Sequence, residues 1–589
     1  MIKRLKVKLL VIFFCVIAFS ILLQTEARAS KKEFSINKDG VLEKYLGPGG
    51  DVTIPSSVKS IGSQAFKGCA KLKSVTIPKN VKSIGYEAFY GCEKLESIKI
   101  PKTVTSIGSF AFERCKKLKS VNLPSGITSI ESGLFSGCTN LKSVKIPESI
   151  TNISDYAFYN CTSLESVTIT KNGDLKSKSL PKGVIGEKAF FGCIKLKSVT
   201  IPSNIESIKG SAFEGCTNLR SILIPEGVKS IEFQAFFNCT SLNSVTIPSS
   251  LKSIERSAFS GCKGLKSIMI PGSVTSIGEN AFSNCTSLES VEISEGVTDI
   301  GIKAFFNCIN LKDVTIPGSV TEIGESAFRN CTGLKKVTMN EGVKYIGNTA
   351  FAECTSLNSV EFSNDLKSIG TSAFYDCISL EDVAIPDSVM SIGSSAFQGC
   401  KGLKNISIPK NIKSIELYTF RDTGLESVTI PKGVTTIGSG VFYGCKNLKS
   451  VIIPEGITEI GMYTFKDCTS LESVTIPTSV TIINFSAFSD CASLESVTIP
   501  GGVTMIGDSA FENCVGLKSL TISEGVTEIG RSAFTNCTSL ERVVIPKSVT
   551  YIGYYAFAHC TNLEYVDIPE GVNISGLYVF YDCPKIKSR

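Results

Sequence analysis

The sequence is poor in the residue types on which most catalytic and metal sites depend. Histidine occurs once in 589 residues, as His559, and no Cys-x-x-Cys pair is present. His559 stands at a repeated position that we predict to be on the surface. No glycine-rich loop precedes a long helical pattern, and no nucleophile, base and acid can be grouped. We therefore predict that the protein is not an enzyme and holds no metal and no cofactor.

Long apolar runs are scarce as well. Only the run from Leu9 to Leu23 approaches the length of about 20 residues that a membrane span needs. It follows a basic start and precedes the small-x-small sequence Ala27-Arg28-Ala29, as in an export signal. We predict a signal peptide over residues 1–29, cleaved after Ala29, and no membrane span thereafter. An uncleaved anchor and a lipoprotein lipidated at Cys15 are the alternatives.

An excess of charge of one sign is also missing. Removal of residues 1–29 leaves 56 basic and 53 acidic residues, so the net charge falls from +7 to +3. No basic stripe with interleaved aromatic residues is present, which argues against nucleic acid as a partner.

What the chain has in abundance is repetition. Phenylalanine recurs every 23 residues from Phe66 to Phe158, from Phe190 to Phe420 and from Phe442 to Phe580, in 23 copies. A fixed period of this length is typical of a solenoid, in which each coil is covered by its neighbours. The two register breaks are extra residues near 170–179 and a one-residue deletion near 421–424. We interpret the first as a surface loop, although a functional insertion is the alternative, and the second as a tightened turn.

One repeat predicts the shape of the coil. Val75 and Ile77 alternate with polar residues, which indicates a short strand, and Pro78 ends it. The next apolar residues have helical spacing, which indicates a short helix or 3₁₀ turn: Ile84, Ala88, Cys92 and Leu95. The fold class is therefore α/β: a solenoid of about 23 coils with a parallel sheet on one face and short helical or 3₁₀ segments opposite.

The repeat Leu-x-x-Val-x-Ile-Pro with Ile-Gly-x-x-Ala-Phe-x-x-Cys resembles the BspA-type leucine-rich repeat. The resemblance covers roughly Val52 to Cys583. It implies a curved α/β solenoid on a secreted or cell-surface protein that serves in adhesion and protein binding, and it implies no chemistry.

The residues before the first repeat read as a lid. Phe34 and Ile36 alternate with polar residues, and Asp39-Gly40 is a hairpin turn signal. A solenoid end exposes apolar side chains and an unpaired strand edge. We predict a capping hairpin over residues 30–51 and the solenoid over residues 52–589.

Of the 23 cysteines, 22 occupy one repeat position. Many cysteines in an exported protein favour disulfides, but neighbouring side chains of a stack run parallel and cysteine is often buried as a small apolar residue. We predict a ladder of buried thiols, with disulfides as the alternative. Its members include Cys69, Cys92, Cys115, Cys262, Cys400 and Cys560.

The outward residues of the strands are mostly serine and threonine, so we place partner recognition at the departures from this pattern. These are Lys99, Lys145, Glu292, Asp313, Lys336, Glu361, Asp382, Arg542 and Tyr565. The alternative is neutral variation of a solvated face. The predicted function is an adhesin that attaches to a protein of the host matrix or of another cell. The alternatives are a structural spacer or surface-layer component and, third, ice or crystal binding through the Ser/Thr array.

Overall fold

The computed structural model describes residues 12–13, 16–17, 33–170, 181–574 and 578–586. Most of the predicted signal peptide and nearly all of the predicted loop at 170–179 lie outside these residues. The chain divides into two compact units, Met1–Leu265 and Lys266–Arg589. Each unit is a stack of coils of the 23-residue repeat, about 23 coils in all. The predicted solenoid class is confirmed.

Each coil contributes two strands, and we call the two sets row 1 and row 2. Row 1 is the predicted Ser-Val-Thr strand, and row 2 is a shorter strand that ends on the isoleucine after the proline turn. Strands of one row pair in parallel with the same row of the next coil, as Ser74 does with Ser97 in row 1 and Ser83 with Ser106 in row 2. The sequence pattern predicted only row 1.

In the first unit, the row 1 strands are Gly50–Thr53, Leu72–Thr76, Ser97–Lys99, Ser120–Asn122, Ser143–Pro147, Ser166–Thr170, Ser198–Val199, Ser221–Leu223 and Ser244–Thr246. The row 2 strands of this unit are Val41–Tyr45, Ser60–Ile61, Ser83–Ile84, Ser106–Ile107, Ser129–Ile130, Asn152–Ile153, Gly183–Ile185, Ile205–Ile208, Ser230–Ile231 and Ser253–Ile254.

In the second unit, the row 1 strands are Ser267–Ile270, Ser290–Ile293, Asp313–Ile316, Lys336–Met339, Ser359–Glu361, Asp382–Ala384, Asn405–Ser407, Ser427–Thr429, Ser450–Ile452, Ser473–Thr475, Ser496–Ile499, Ser519–Ile522, Arg542–Val544 and Tyr565–Asp567. The row 2 strands are Ser276–Ile277, Asp299–Ile300, Glu322–Ile323, Tyr345–Ile346, Ser368–Ile369, Ser391–Ile392, Ser414–Ile415, Thr436–Ile437, Glu459–Ile460, Ile482–Ile483, Met505–Ile506, Glu528–Ile529, Tyr551–Ile552 and Asn573–Ile574.

The side of the coil opposite row 1 is a run of turns, and the expected helical segment is not formed there. Glu87 has a left-handed backbone, with φ of 50°, which interrupts any right-handed helix. Within the coil, Cys92 N donates to Phe89 O at 3.2 Å, which closes one turn. Phe89 N donates instead to Ala111 O of the next coil at 2.8 Å. A helix would use these amides internally, whereas the turns direct every second one to the neighbouring coil.

The core of each unit consists of rows of identical side chains. Phe66, Phe89 and Phe112 are fully buried. Their rings stack with centroids 4.9 and 5.4 Å apart and planes within 12° of each other. In the second unit Phe305 stacks on Phe328 at 5.1 Å. Such stacks stabilise a structure beyond the effect of the area that each ring buries. The aromatic row therefore stabilises the contact between successive coils.

A hairpin precedes the first coil of the first unit. Phe34–Ile36 pairs antiparallel with Val41–Tyr45, which itself pairs in parallel with Ser60–Ile61 of row 2. The Phe34 and Tyr45 rings lie 5.3 Å apart, and Tyr45 stacks on Phe66 at 5.0 Å. The aromatic row of the coils therefore continues into the hairpin.

Within the part of the chain that the structure describes, no helix reaches the length and apolarity that a membrane span requires.

Candidate binding face

Row 1 has an outward face with two columns of exposed side chains on either side of a buried residue. Val75 is buried between Ser74 and Thr76, and the same alternation recurs along both units. Strand side chains alternate between the two faces of a sheet, so the first column repeats Ser74 and the second column repeats Thr76. We call this surface the row 1 face.

In the first unit the charged departures in the second column are both basic. Thr76 pairs with Lys99 on the next strand, and Asn122 pairs with Lys145. Both lysines are exposed. Further along this column Leu223 is 73% exposed beside Thr246. The structure thus places Lys99 and Lys145 on one face of the first unit.

In the second unit the charges of the row 1 face are partly compensated by one another. Asp313 pairs with Lys336 on the neighbouring strand, and Lys336 Nζ lies 2.7 Å from Glu361 Oε1. The hydrogen bond from Lys336, helped by that from Thr338, lowers the pKa of Glu361. Lys336 therefore lies between two carboxylates, and the middle of the face alternates in charge.

Two further acidic residues of this face, Glu292 and Asp382, stand apart from that trio. Glu292 is exposed and pairs with Met269, which is itself 59% exposed. Asp382 Oδ1 accepts a hydrogen bond of 3.1 Å from Asn405 Nδ2 on the next strand. Both carboxylates can meet a partner without the loss of an internal ion pair to Lys336.

Arg542 and Tyr565 form a separate contact on the same face. They pair on neighbouring strands, and the guanidinium carbon lies 4.3 Å from the centre of the tyrosine ring. A cation over an aromatic ring is attracted to it. Val544, which is 44% exposed, lies beside Asp567 in the second column.

The inward cysteines belong to the packing and not to this face. The repeat cysteines are thiols, and all of them except Cys69 and Cys583 are buried. Cys92 Sγ donates to Phe66 O of the preceding coil at 3.1 Å. Burial raises the pKa of Cys193 to about 12. Such thiols are poor nucleophiles because the thiolate is the reactive form.

The single histidine of the chain pairs with one carboxylate. His559 Nδ1 lies 3.0 Å from Asp582 Oδ2, and its ring packs edge-on against Tyr581. The pair is exposed. Among the described residues, no group of three or more histidine, cysteine, aspartate or glutamate side chains could hold a metal ion.

Sequence reasoning missed one feature of the second unit. A depression of about 580 Å³ lies at the coil that is one residue short, next to Thr423 and Gly424. The only sequence signal for it is the deletion near 421–424, which we interpreted as a tightened turn. Packing does resume at once, since Val428, Ile430 and Val434 are buried.

Comparison with known proteins places the coil pattern in a family. The sequence profile of the family described as "BspA type Leucine rich repeat region (6 copies)" matches residues 50–165, 169–289, 275–402, 367–495 and 458–587. No curated protein sequence matches the chain.

Three solved structures illustrate the similarity. A leucine-rich repeat protein from Bacteroides ovatus is 30% identical over 72% of this chain and 93% of its own, with a TM-score of 0.46. A leucine rich cell surface protein from Faecalibacterium prausnitzii is 26% identical over 75% and 92%, with a TM-score of 0.30. The T. pallidum leucine rich repeat protein is 30% identical over 32% and 88%, with a TM-score of 0.28.

Proposed function

Because this chain belongs to the family of BspA-type leucine-rich repeat proteins, we propose that it is exported and attaches to another protein through its row 1 face. The partner is a protein of the host matrix or of another cell's surface. The basic start, the apolar run Leu9–Leu23 that follows it and the small-x-small sequence that ends at Ala29 support export. The similarity to a leucine rich cell surface protein from Faecalibacterium prausnitzii supports a surface location.

One observation carries the proposal. The interior positions of the coils hold the same residue types from coil to coil, whereas the outward columns of row 1 change from hydroxyl to acidic, basic and apolar. Leu223, Met269 and Ile452 are 73, 59 and 62% exposed at second-column positions where threonine is common. Exposed apolar and charged side chains on an extended repetitive surface suit a large partner with many separate contacts.

The test is charge reversal on the row 1 face with a matched control. Glu292→Lys with Asp382→Lys changes two exposed carboxylates that do not pair with Lys336. We expect the association rate with immobilised host matrix proteins to change by about tenfold at low salt, and the difference to shrink at high salt.

The control, Glu279→Lys with Glu325→Lys, makes the same change in net charge at exposed positions on the turn side of the same unit. It should leave the association rate unchanged. Equal effects of the two double variants would remove the row 1 face from the proposal, and absence of any bound protein would remove adhesion itself.

A further inference from the structure

The coil that contains Phe420, which we call the short coil, differs from its neighbours in backbone as well as in sequence. A regular coil runs Phe397-Gln398-Gly399-Cys400-Lys401-Gly402-Leu403, whereas the short coil runs Phe420-Arg421-Asp422-Thr423-Gly424-Leu425. Gly402 N donates to Ile378 O at 2.9 Å, but Gly424 N donates to Cys400 O at 3.3 Å. The ladder between coils is therefore shifted by one residue, and the missing residue leaves the depression.

Thr423 stands where other coils have the cysteine, and it is held in the short coil's own turn. Its hydroxyl donates to Phe420 O at 2.8 Å and lies 3.1 Å from Cys445 Sγ. Thr423 and Gly424 are buried. The floor of the depression is thus fixed by hydrogen bonds.

Two carboxylates line the depression, one on the short coil itself and one two coils before it. Asp376 and Asp422 both line it, and each lies against a glycine of the next coil. A Cβ on Gly399 would lie 2.0 Å from Asp376 Oδ1, and one on Gly444 would lie 2.1 Å from Asp422 Oδ1. Since any larger residue would displace them, the two glycines allow both carboxylates to lie along the wall.

Asp422 is further held in place from outside the depression. Arg421 Nε lies 3.2 Å from Asp422 Oδ2. The Arg421 guanidinium in turn lies 5.2 Å from the Tyr418 ring and 4.7 Å from the Tyr443 ring. Two aromatic rings therefore hold the arginine that orients this carboxylate, which reduces the ordering that a ligand must supply.

The other lining side chains decide the chemistry of the ligand. Lys401 and Lys446 balance the two aspartates in charge, and Gln398 and Asn447 add amide donors and acceptors. Tyr375 is the one aromatic residue of the lining, and no valine, leucine, isoleucine, methionine or phenylalanine contributes to it. A protein hot spot or an apolar ligand would need a well-packed apolar pocket, and the carboxylates disfavour a phosphate.

A neutral polyhydroxylated ligand matches this lining, because each hydroxyl both donates and accepts a hydrogen bond. The volume of about 580 Å³ is within the range of small-molecule sites. Lys401, Lys446 and Asn447 are exposed at its edge, so the depression can receive the end of a longer chain. We propose that the depression at the short coil binds the terminal sugar of a neutral oligosaccharide, independently of the row 1 face.

The first experiment measures binding of the purified protein to a printed array of neutral and acidic oligosaccharides. We expect a subset of the neutral ones to bind. Asp376→Ala should weaken that binding by about tenfold, as expected for the loss of a hydrogen bond to a charged group. Asp467→Ala removes the residue at the same repeat position in a coil that does not line the depression, and it should leave binding unchanged.

A second variant fills the depression and regularises the fold. Thr423→Cys with one lysine inserted before Gly424 restores the regular spacing, so we expect a folded protein by circular dichroism that no longer binds the array. Binding that survives this variant, or an array with no bound sugar, would overturn the proposal. Sugar-independent capture of a peptide at the depression would overturn it in favour of a protein ligand.

A third measurement distinguishes a free oligosaccharide from a sugar that is carried on a glycoprotein. The oligosaccharide is presented free and on a glycoprotein that has been left intact or enzymatically deglycosylated. Binding to both glycan forms, with loss after deglycosylation, supports recognition of the sugar wherever it is carried. Binding to the deglycosylated protein would contradict it. The charge-reversal variants of the row 1 face test adhesion separately, because they leave the depression intact.

Discussion

The inside and the outside of the second unit follow different rules. Along the inside, Phe305, Phe328 and Phe351 repeat one residue type at one position, and all three are fully buried. Along the first outward column of row 1, successive strands begin with Asp313, then Lys336, then a serine and then an aspartate. Each interior side chain must fill the same space between identical neighbours, whereas an outward side chain meets water.

This difference teaches where stability and specificity reside. A change inside removes packing that nothing else can supply, because protein interiors are close-packed. A change outside alters what a partner meets and costs the fold little. The following predictions test that division, from the largest expected effect to the smallest.

Alkaline pH should unfold the protein through the interior thiols. Burial raises the pKa of Cys193 and of Cys445 to about 12, whereas the pKa of a thiol in the unfolded chain is about 8.5. Above about pH 9 the unfolded chain therefore loses protons that the folded chain keeps, so stability falls as pH rises. Each such thiol contributes about 1.4 kcal/mol of destabilisation per pH unit. We expect loss of the circular dichroism signal by about pH 10 to 11.

The control removes three thiols whose pKa burial raises well above the ordinary value: Cys468→Ala, Cys491→Ala and Cys514→Ala. Between pH 7 and alkaline pH, this variant should lose less free energy of unfolding than the unchanged protein does. An equal loss of free energy of unfolding in both proteins would contradict the prediction that the thiols cause the alkaline unfolding. Titration of denatured, unreduced protein measures how many of the thiols are free in the purified protein.

The next largest effect should come from the aromatic row. Phe305→Ala removes a fully buried ring that stacks on Phe328 at 5.1 Å. Truncation of a buried phenylalanine costs about 3–5 kcal/mol, and we expect that loss in urea unfolding. Ile302→Ala changes a residue that is 46% exposed three positions away, and it should cost about 0.5 kcal/mol or less. Equal losses would contradict the division between inside and outside.

The interior was predictable from the sequence because it repeats. The positions of Val75, Ile77 and Phe89 predicted a row 1 strand and a buried core, and the structure has both. The prediction for the side opposite row 1 was wrong, because the structure has turns there and not a short helical segment. Buried residues three and four apart fit a helix, but they fit a run of turns equally, and the choice depends on amides such as Phe89 N that bond to the next coil.

Two other features could not be predicted from single repeats. Row 2 strands such as Ser83–Ile84 are only two residues long, so they show no alternation in sequence. The depression depends on the one-residue shift between Gly424 and the preceding coil. By contrast, the outward position of Asp313, Lys336 and Glu361 followed from strand alternation alone, although their pairing did not.

A moderate effect should come from the left-handed turn residues, which lie between inside and outside. Asn330 has φ of 59°, and its Nδ2 donates to Asn307 Oδ1 at 2.8 Å. Asn330→Ala loses this hydrogen bond and places an alanine in a disfavoured backbone conformation, which together should cost about 1–2 kcal/mol. Asn330→Gly loses only the hydrogen bond and should cost less in the same urea unfolding experiment. If the glycine variant is as unstable as the alanine variant, the whole cost comes from the lost hydrogen bond to Asn307.

The smallest effect on stability should come from ion pairs, and its size should depend on how exposed each pair is. Lys312 Nζ lies 2.7 Å from Glu289 Oε2 on the row 1 side, with both side chains at least half exposed. Lys466 pairs with Asp490 at the turn side, where the side chains are only 25 and 28% exposed. Although burial opposes it, hydrogen bonds from Lys466, Ser489 and Asn513 lower the pKa of Asp490. That stabilisation is present at neutral pH and is lost as the pH falls and the carboxylate becomes protonated.

We therefore expect Lys312→Met to leave the melting temperature within error at every pH, because water screens an exposed pair. Lys466→Met should lower it at pH 7, and the difference from the unchanged protein should narrow toward pH 3. Differential scanning calorimetry at the two pH values measures both. A larger loss for Lys312→Met than for Lys466→Met would contradict the prediction that the more exposed pair contributes less to stability.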